Sequence, residues 1–110
     1  MEVEQLCELV VHALEDVKGI DIRTLDVRGK SNITDVMVVA SGGSDRQVKA
    51  LADKVVETAK EHGLRPLGVE GRADWVLVDL GDVVVHVMRP DIRDFYNLEK
   101  LWGEDSPAAS

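Results

Sequence analysis

The sequence predicts an α/β fold: a single two-layer domain with a mixed β-sheet of about five strands and about three helices. Three observations predict it. Apolar residues recur at helical spacing in residues 3 to 18, 45 to 62 and 91 to 102. Between them lie short β-branched runs, the clearest being VMVVA and WVLVDLGDVVVHVM. The chain has 110 residues, 45% hydrophobic and 31% charged, which suits one folded unit with a modest core.

Taken in order, Val3, Leu6, Val10, Ala13 and Val17 stand three or four apart, and Gly19 stops that first helix. IDIRTLDVR alternates apolar and charged residues with a phase slip near Thr24, so a strand with one solvated face is expected over residues 24 to 28. GKSNITD is a turn. The unbroken apolar run 36 to 40 fits a strand covered on both faces, placed in the middle of the sheet. The second helix, 45 to 62, buries Val48, Leu51, Ala52, Val55 and Ala59, with Gly63 just past its end. LRPLGVEG holds a short strand broken by Pro66 and two glycines. Strands at 75 to 79 and 82 to 88 follow, joined by a tight turn at Leu80-Gly81. Pro90 or Asp91 opens the last helix, which Phe95, Tyr96, Leu98, Leu101 and Trp102 anchor to the body. The domain is expected to span 1–103, with 104–110 a flexible tail.

A formal net charge of -8 repels a phosphate backbone, so no strong direct nucleic-acid binding is expected and a basic protein partner fits better. No apolar run approaches the roughly 20 residues that span a bilayer, and the acidic N-terminus lacks the basic start of a signal peptide. The expectation is a cytoplasmic protein away from membranes. Cys7 is the only cysteine, which excludes an internal disulfide; it reads as a small, half-buried apolar residue of the first helix.

The stretch ASGGSDRQVKALADKV takes a strand through two glycines into a helix, the shape of many phosphate cradles. Ser44-x-x-Gln47, however, is a capping box that uses the amides a phosphate needs, and no Lys-Ser or Lys-Thr follows the glycines. The enzymatic alternative is a nucleotide-binding or nucleotidyltransferase-type site made of this Gly-Ser turn and Asp79. Asp79 and Asp82 stand three apart across a turn instead of i and i+2 on one strand face, so no metal site is expected.

With a two-residue loop at Leu80-Gly81, Asp79 pairs with Asp82, Leu77 with Val84, and Trp75 with His86. One face of this hairpin then carries Val76, Val78, Val83, Val85 and Val87. The other carries Trp75, Leu77, Val84, His86 and Met88, with Leu80 at the tip and the two aspartates opposed. Two readings stand: a protein-docking patch, or a second core beneath the first or last helix. His86 reads as a hydrogen-bonded packing residue.

The runs LDVRGKSNITDVMVVASGGSDRQVKALADKV, PLGVEG, ADWVLVDLGDVVVHVM and RDFYNLEKLW together closely resemble the ribosomal silencing factor family, also called Iojap-like, over residues 17 to 102. The resemblance implies a non-enzymatic protein without a cofactor, on a nucleotidyltransferase-like fold. It implies binding to the large ribosomal subunit through ribosomal protein L-fourteen, a steric block to joining of the small subunit, and repression of translation when nutrients are short. It also implies a homodimer when free. Carried over by motif, the tryptophan of DW and the leucine of DLGD are the partner contacts, here Trp75 and Leu80. Met88, Asp79 and Asp82 join them as candidates from the hairpin's own pattern.

Overall fold

Leu6, Val10, Ala13 and Leu14 line one stripe of α1 (Val3–Asp16) and are buried together. The computed structural model, which describes residues 1–30, 32 and 34–102, begins this helix with a capping box in which Glu2 N–H donates to Gln5 Oε1 at 3.0 Å. It ends at Asp16, two residues before the predicted last residue, 18. Gly19 N–H turns back to the Leu14 carbonyl at 2.8 Å, an approach that leaves a Cβ only 3.0 Å from that oxygen.

The strand predicted at 24 to 28 is β1 (Ile20–Asp26), starting earlier and ending earlier. The phase slip in the sequence is a β-bulge. Asp21 sits at φ 48, and the register against the next strand jumps between Ile20 and Arg23. Within the bulge Ile22 packs with one apolar cluster, while beyond it Leu25 and, just past the strand, Val27 join another. In the predicted GKSNITD turn Gly29 takes φ 82 and Lys30 N–H donates to the Val27 carbonyl; Ser31 and Ile33 lie outside the described residues.

Five strands form one sheet in the order β1-β2-β5-β4-β3, where β2 is Val36–Ser41, β3 Gly68–Arg72, β4 Trp75–Asp79 and β5 Val83–Met88. Only β2 and β5 pair in parallel. The run predicted for the middle is interior and buried at every residue, but the central strand is β5, equally buried despite its histidine. The β4–β5 register also differs from the two-residue loop: Asp79 pairs with Val84, Leu77 with His86, and Trp75 with Met88. Asp82 is drawn out of the hairpin because its carbonyl accepts from Asp35 N–H and Val36 N–H, both at 3.0 Å, and from Thr34 Oγ1 at 2.9 Å. The two aspartates are therefore not opposed. A shift of two leaves every side chain on its predicted face.

α2 (Asp45–Glu61) buries the five residues its periodicity predicts. Only half of its capping box forms. Ser44 Oγ accepts from Gln47 N–H at 3.1 Å, but the Gln47 side chain donates to the Val17 carbonyl and so ties α2 to the end of α1. One sheet face, including Val36, Val38, Val78, Val83, Val85 and Val87, packs under α1 and α2. Part of the opposite face is capped by Ile92 and Leu98, over Leu25, Val27, Met37, Val39 and Met88. The helix predicted at 91 to 102 is two pieces, α3 (Pro90–Tyr96) and α4 (Leu98–Trp102), divided by Asn97 at φ 47. The predicted tail 104–110 lies outside the described residues.

Candidate docking surface

The hairpin presents Trp75 and Leu80 at opposite ends of β4, on the order of 17 Å apart for an extended chain. Both are half-buried. Trp75 packs against the cluster beneath α3 and α4, whereas Leu80 packs against the cluster beneath α1 and α2. The structure thus leaves both partly open but does not merge them into one patch. Asp79 is half-buried, its Oδ1 accepting from Gly81 N–H at 2.8 Å to shape the turn, and Asp82 is exposed.

Met88 is a correction. Its side chain is 0% exposed, so it is a core residue and not a partner contact. Of the two readings of this face, the second core forms around Met88, and Trp75 stands half-buried at its open margin.

Trp75 is positioned by two rings. Its indole Nε1–H donates to His86 Nδ1 at 3.0 Å, with ring centroids 5.9 Å apart. Tyr96 of α3 tilts against it at 4.9 Å and 48°. Burial pushes the His86 pKa down to about 4, so at neutral pH the ring is uncharged and Nδ1 keeps the lone pair the indole needs. Beside Trp75 lies a groove of about 400 Å³ with Leu77, Ile92 and Tyr96 as apolar walls and Glu70, Arg72 and Asp74 as its charged groups. Nothing in the local sequence pattern marks this groove, because its residues come from β3, β4 and α3.

α3 is anchored by a residue that sequence reasoning passed over. Arg93 is 5% exposed; its Nε donates to Glu99 at 2.7 Å and its Nη1 to Ser41 Oγ at 2.9 Å and to the Ile20 carbonyl at 3.4 Å. Asp21, at the bulge and still exposed, stands 3.7 Å from Nη2. Of the residues expected to anchor the last helix, Leu98 does so, while Phe95, Tyr96 and Leu101 are 79%, 53% and 62% exposed. The Trp102 side chain lies outside the described part of the molecule. The signal that was there to read is Asn97, a residue that tolerates the left-handed region and breaks the helical phase. A second exposed apolar pair, Leu67 and Val69, lies beside and on the edge strand β3.

The Gly-Ser turn and Asp79 are not brought together. The turn leaves β2 beside Met88, as Gly42 N–H donates to the Met88 carbonyl, while Asp79 pairs with Val84 four residues away along β5, about 13 Å. Gly42 is there for packing: a Cβ on it would lie 2.9 Å from Val48 N. Cys7 is half-buried with its thiol pKa raised, chiefly by burial. Among the described residues no helix is long and apolar enough to cross a membrane.

Residues 1–110 match the family model described as RsfS, ribosomal silencing factor during starvation. A ribosomal silencing factor of Chromobacterium violaceum is 49% identical over 110 residues, covering 98% of this chain and 90% of the relative. Another, of Haemophilus influenzae, is 48% identical over 99 residues, covering 88% of this chain and 97% of the relative. A crystal structure of a Chromobacterium violaceum protein superposes with a TM-score of 0.92 at 50% identity, over 94% of this chain and 89% of that one.

Proposed function

The chain belongs to the ribosomal silencing factor family, and on that premise we propose that it binds the large ribosomal subunit through ribosomal protein L-fourteen. Bound there, it occupies the surface the small subunit needs, blocks joining by sterics and represses translation when nutrients are short. It acts in the cytoplasm, without a cofactor and without catalysis. The observation that carries this reading is Trp75, a large aromatic residue left half-open at the margin of a core and held in one orientation by His86 and Tyr96. A rigid aromatic at a partly dry groove is the usual centre of a protein interface. Leu80, Asp79 and Asp82 at the far end of the hairpin extend the contact, the aspartates meeting basic groups of the partner. When free, two copies pair and shield apolar surface from water.

Sedimentation with separated large subunits, small subunits and joined ribosomes tests the proposal. The protein should travel with free large subunits and reduce their joining. Co-migration with small subunits alone would overturn it. Analytical ultracentrifugation across a concentration series tests the pairing of free copies.

A further inference from the structure

We infer that the groove between β4 and α3 receives an arginine side chain of the partner, its guanidinium lying between the aromatic wall of Trp75 and Tyr96 and the carboxylates of Glu70 and Asp74. The inference rests on the docking role proposed above and specifies its chemistry.

The walls are of two kinds. Trp75, Leu77, Ile92 and Tyr96 offer flat or aliphatic surface, which suits the stem and planar head of an arginine. Trp75 and Tyr96 pack against each other and both line the groove, so a cation entering it meets aromatic surface. Glu70 and Asp74 add two carboxylates, and among the described residues neither takes part in an ion pair. Elsewhere the surface pairs its charges freely, as at Arg89 with Asp45 and Asp91. An apolar peptide alone would cover these carboxylates without neutralising them, which is unfavourable. A guanidinium satisfies both walls at once. Lysine, a compact and strongly hydrated charge, stacks less well on the rings.

Arg72 sits on the same wall, across from Trp75 in the β3–β4 ladder, and the groove holds two acids against this one base. It lowers the negative potential there without pairing to either acid. Removing it should tighten arginine binding.

The test is nuclear magnetic resonance titration of the full chain with N-acetyl-arginine-methylamide, alongside the citrulline analogue, which keeps the shape and lacks the charge. Arginine should move the Trp75 indole, Ile92 and Tyr96 signals saturably. Citrulline should bind at least fivefold more weakly. Arg72→Ala should lower the apparent Kd, and E70Q combined with D74N should raise it at least fivefold, with thermal melting confirming both folds. Equal response to arginine and citrulline, or no response localised to the groove, overturns the inference. Sedimentation with large subunits separates the two levels. If Trp75→Ala abolishes association and the E70Q/D74N double variant retains it fully, the arginine assignment fails and docking stands. If Trp75→Ala retains association, the docking role fails, while the titration still judges the groove.

Discussion

Trp75 donates its indole N–H to Nδ1 of His86 across 3.0 Å, and the acceptor exists only while the buried imidazole is neutral. The folded protein holds the His86 pKa near 4, below its usual 6.5, so the unfolded chain binds the proton more readily. The stability this contributes is complete above about pH 6.5 and is lost as pH falls towards 4, amounting to about 3 kcal/mol at most. Denaturant unfolding at pH 7 and pH 4 should therefore show a larger loss for the wild type than for His86→Asn. Asparagine places an oxygen where Nδ1 stands and cannot titrate there. Identical losses in the two proteins would remove His86 from the account.

Trp75→Ala and Met88→Ala should fail in different ways. The tryptophan stands at the open margin, so its loss should weaken large-subunit binding by about 2 kcal/mol with a largely retained fold. Met88 is sealed in the second cluster, so its truncation should lower unfolding stability by about 2 to 5 kcal/mol. Chemical denaturation beside subunit sedimentation distinguishes the two.

Arg93→Met should destabilise the protein by about 2 to 3 kcal/mol, since Glu99 loses its closest partner and keeps Arg23 at 3.6 Å, in a poorly hydrated site. Amide exchange should speed up first in α3 and α4. Unchanged melting and exchange would show that the arginine network is incidental.

Gly42→Ala and Gly43→Ala form a matched pair. A methyl at 42 runs into the Val48 backbone nitrogen at 2.9 Å, while one at 43 meets nothing nearer than Ile20 Cδ1 at 4.0 Å. The first should cost about 1 to 3 kcal/mol and the second should be close to neutral by thermal unfolding. Equal effects would contradict the close packing of the turn on α2.

What was legible in the sequence is what local periodicity dictates. The five buried positions of α2 follow from a 3.6-residue period, and both faces of the β4–β5 hairpin from a period of two. The hairpin register was not legible, because a distant segment decides it: Asp35 and Val36 take the Asp82 carbonyl. The start of β1 was hidden by the bulge at Asp21, which reverses the alternation that marks a strand. Arg93 reads as a surface charge until its partners are placed, and its backbone acceptor Ile20 lies 73 residues earlier. The proposed docking surface shows the same limit. Motif placed Trp75, but the groove beside it is assembled from three elements and exists only in the folded chain.

The anchoring of α3 has a consequence for synthesis. Ile92 and Tyr96, two walls of the groove, follow Trp75 in the chain and are docked by Arg93 against the first two strands. A nascent polypeptide that has emerged only as far as Met88 owns the indole but lacks the receptacle beside it. The groove proposed to receive a partner is thus completed only after α3 has emerged and docked, and a version ending at residue 88 should bind more of a hydrophobic dye than the full chain does.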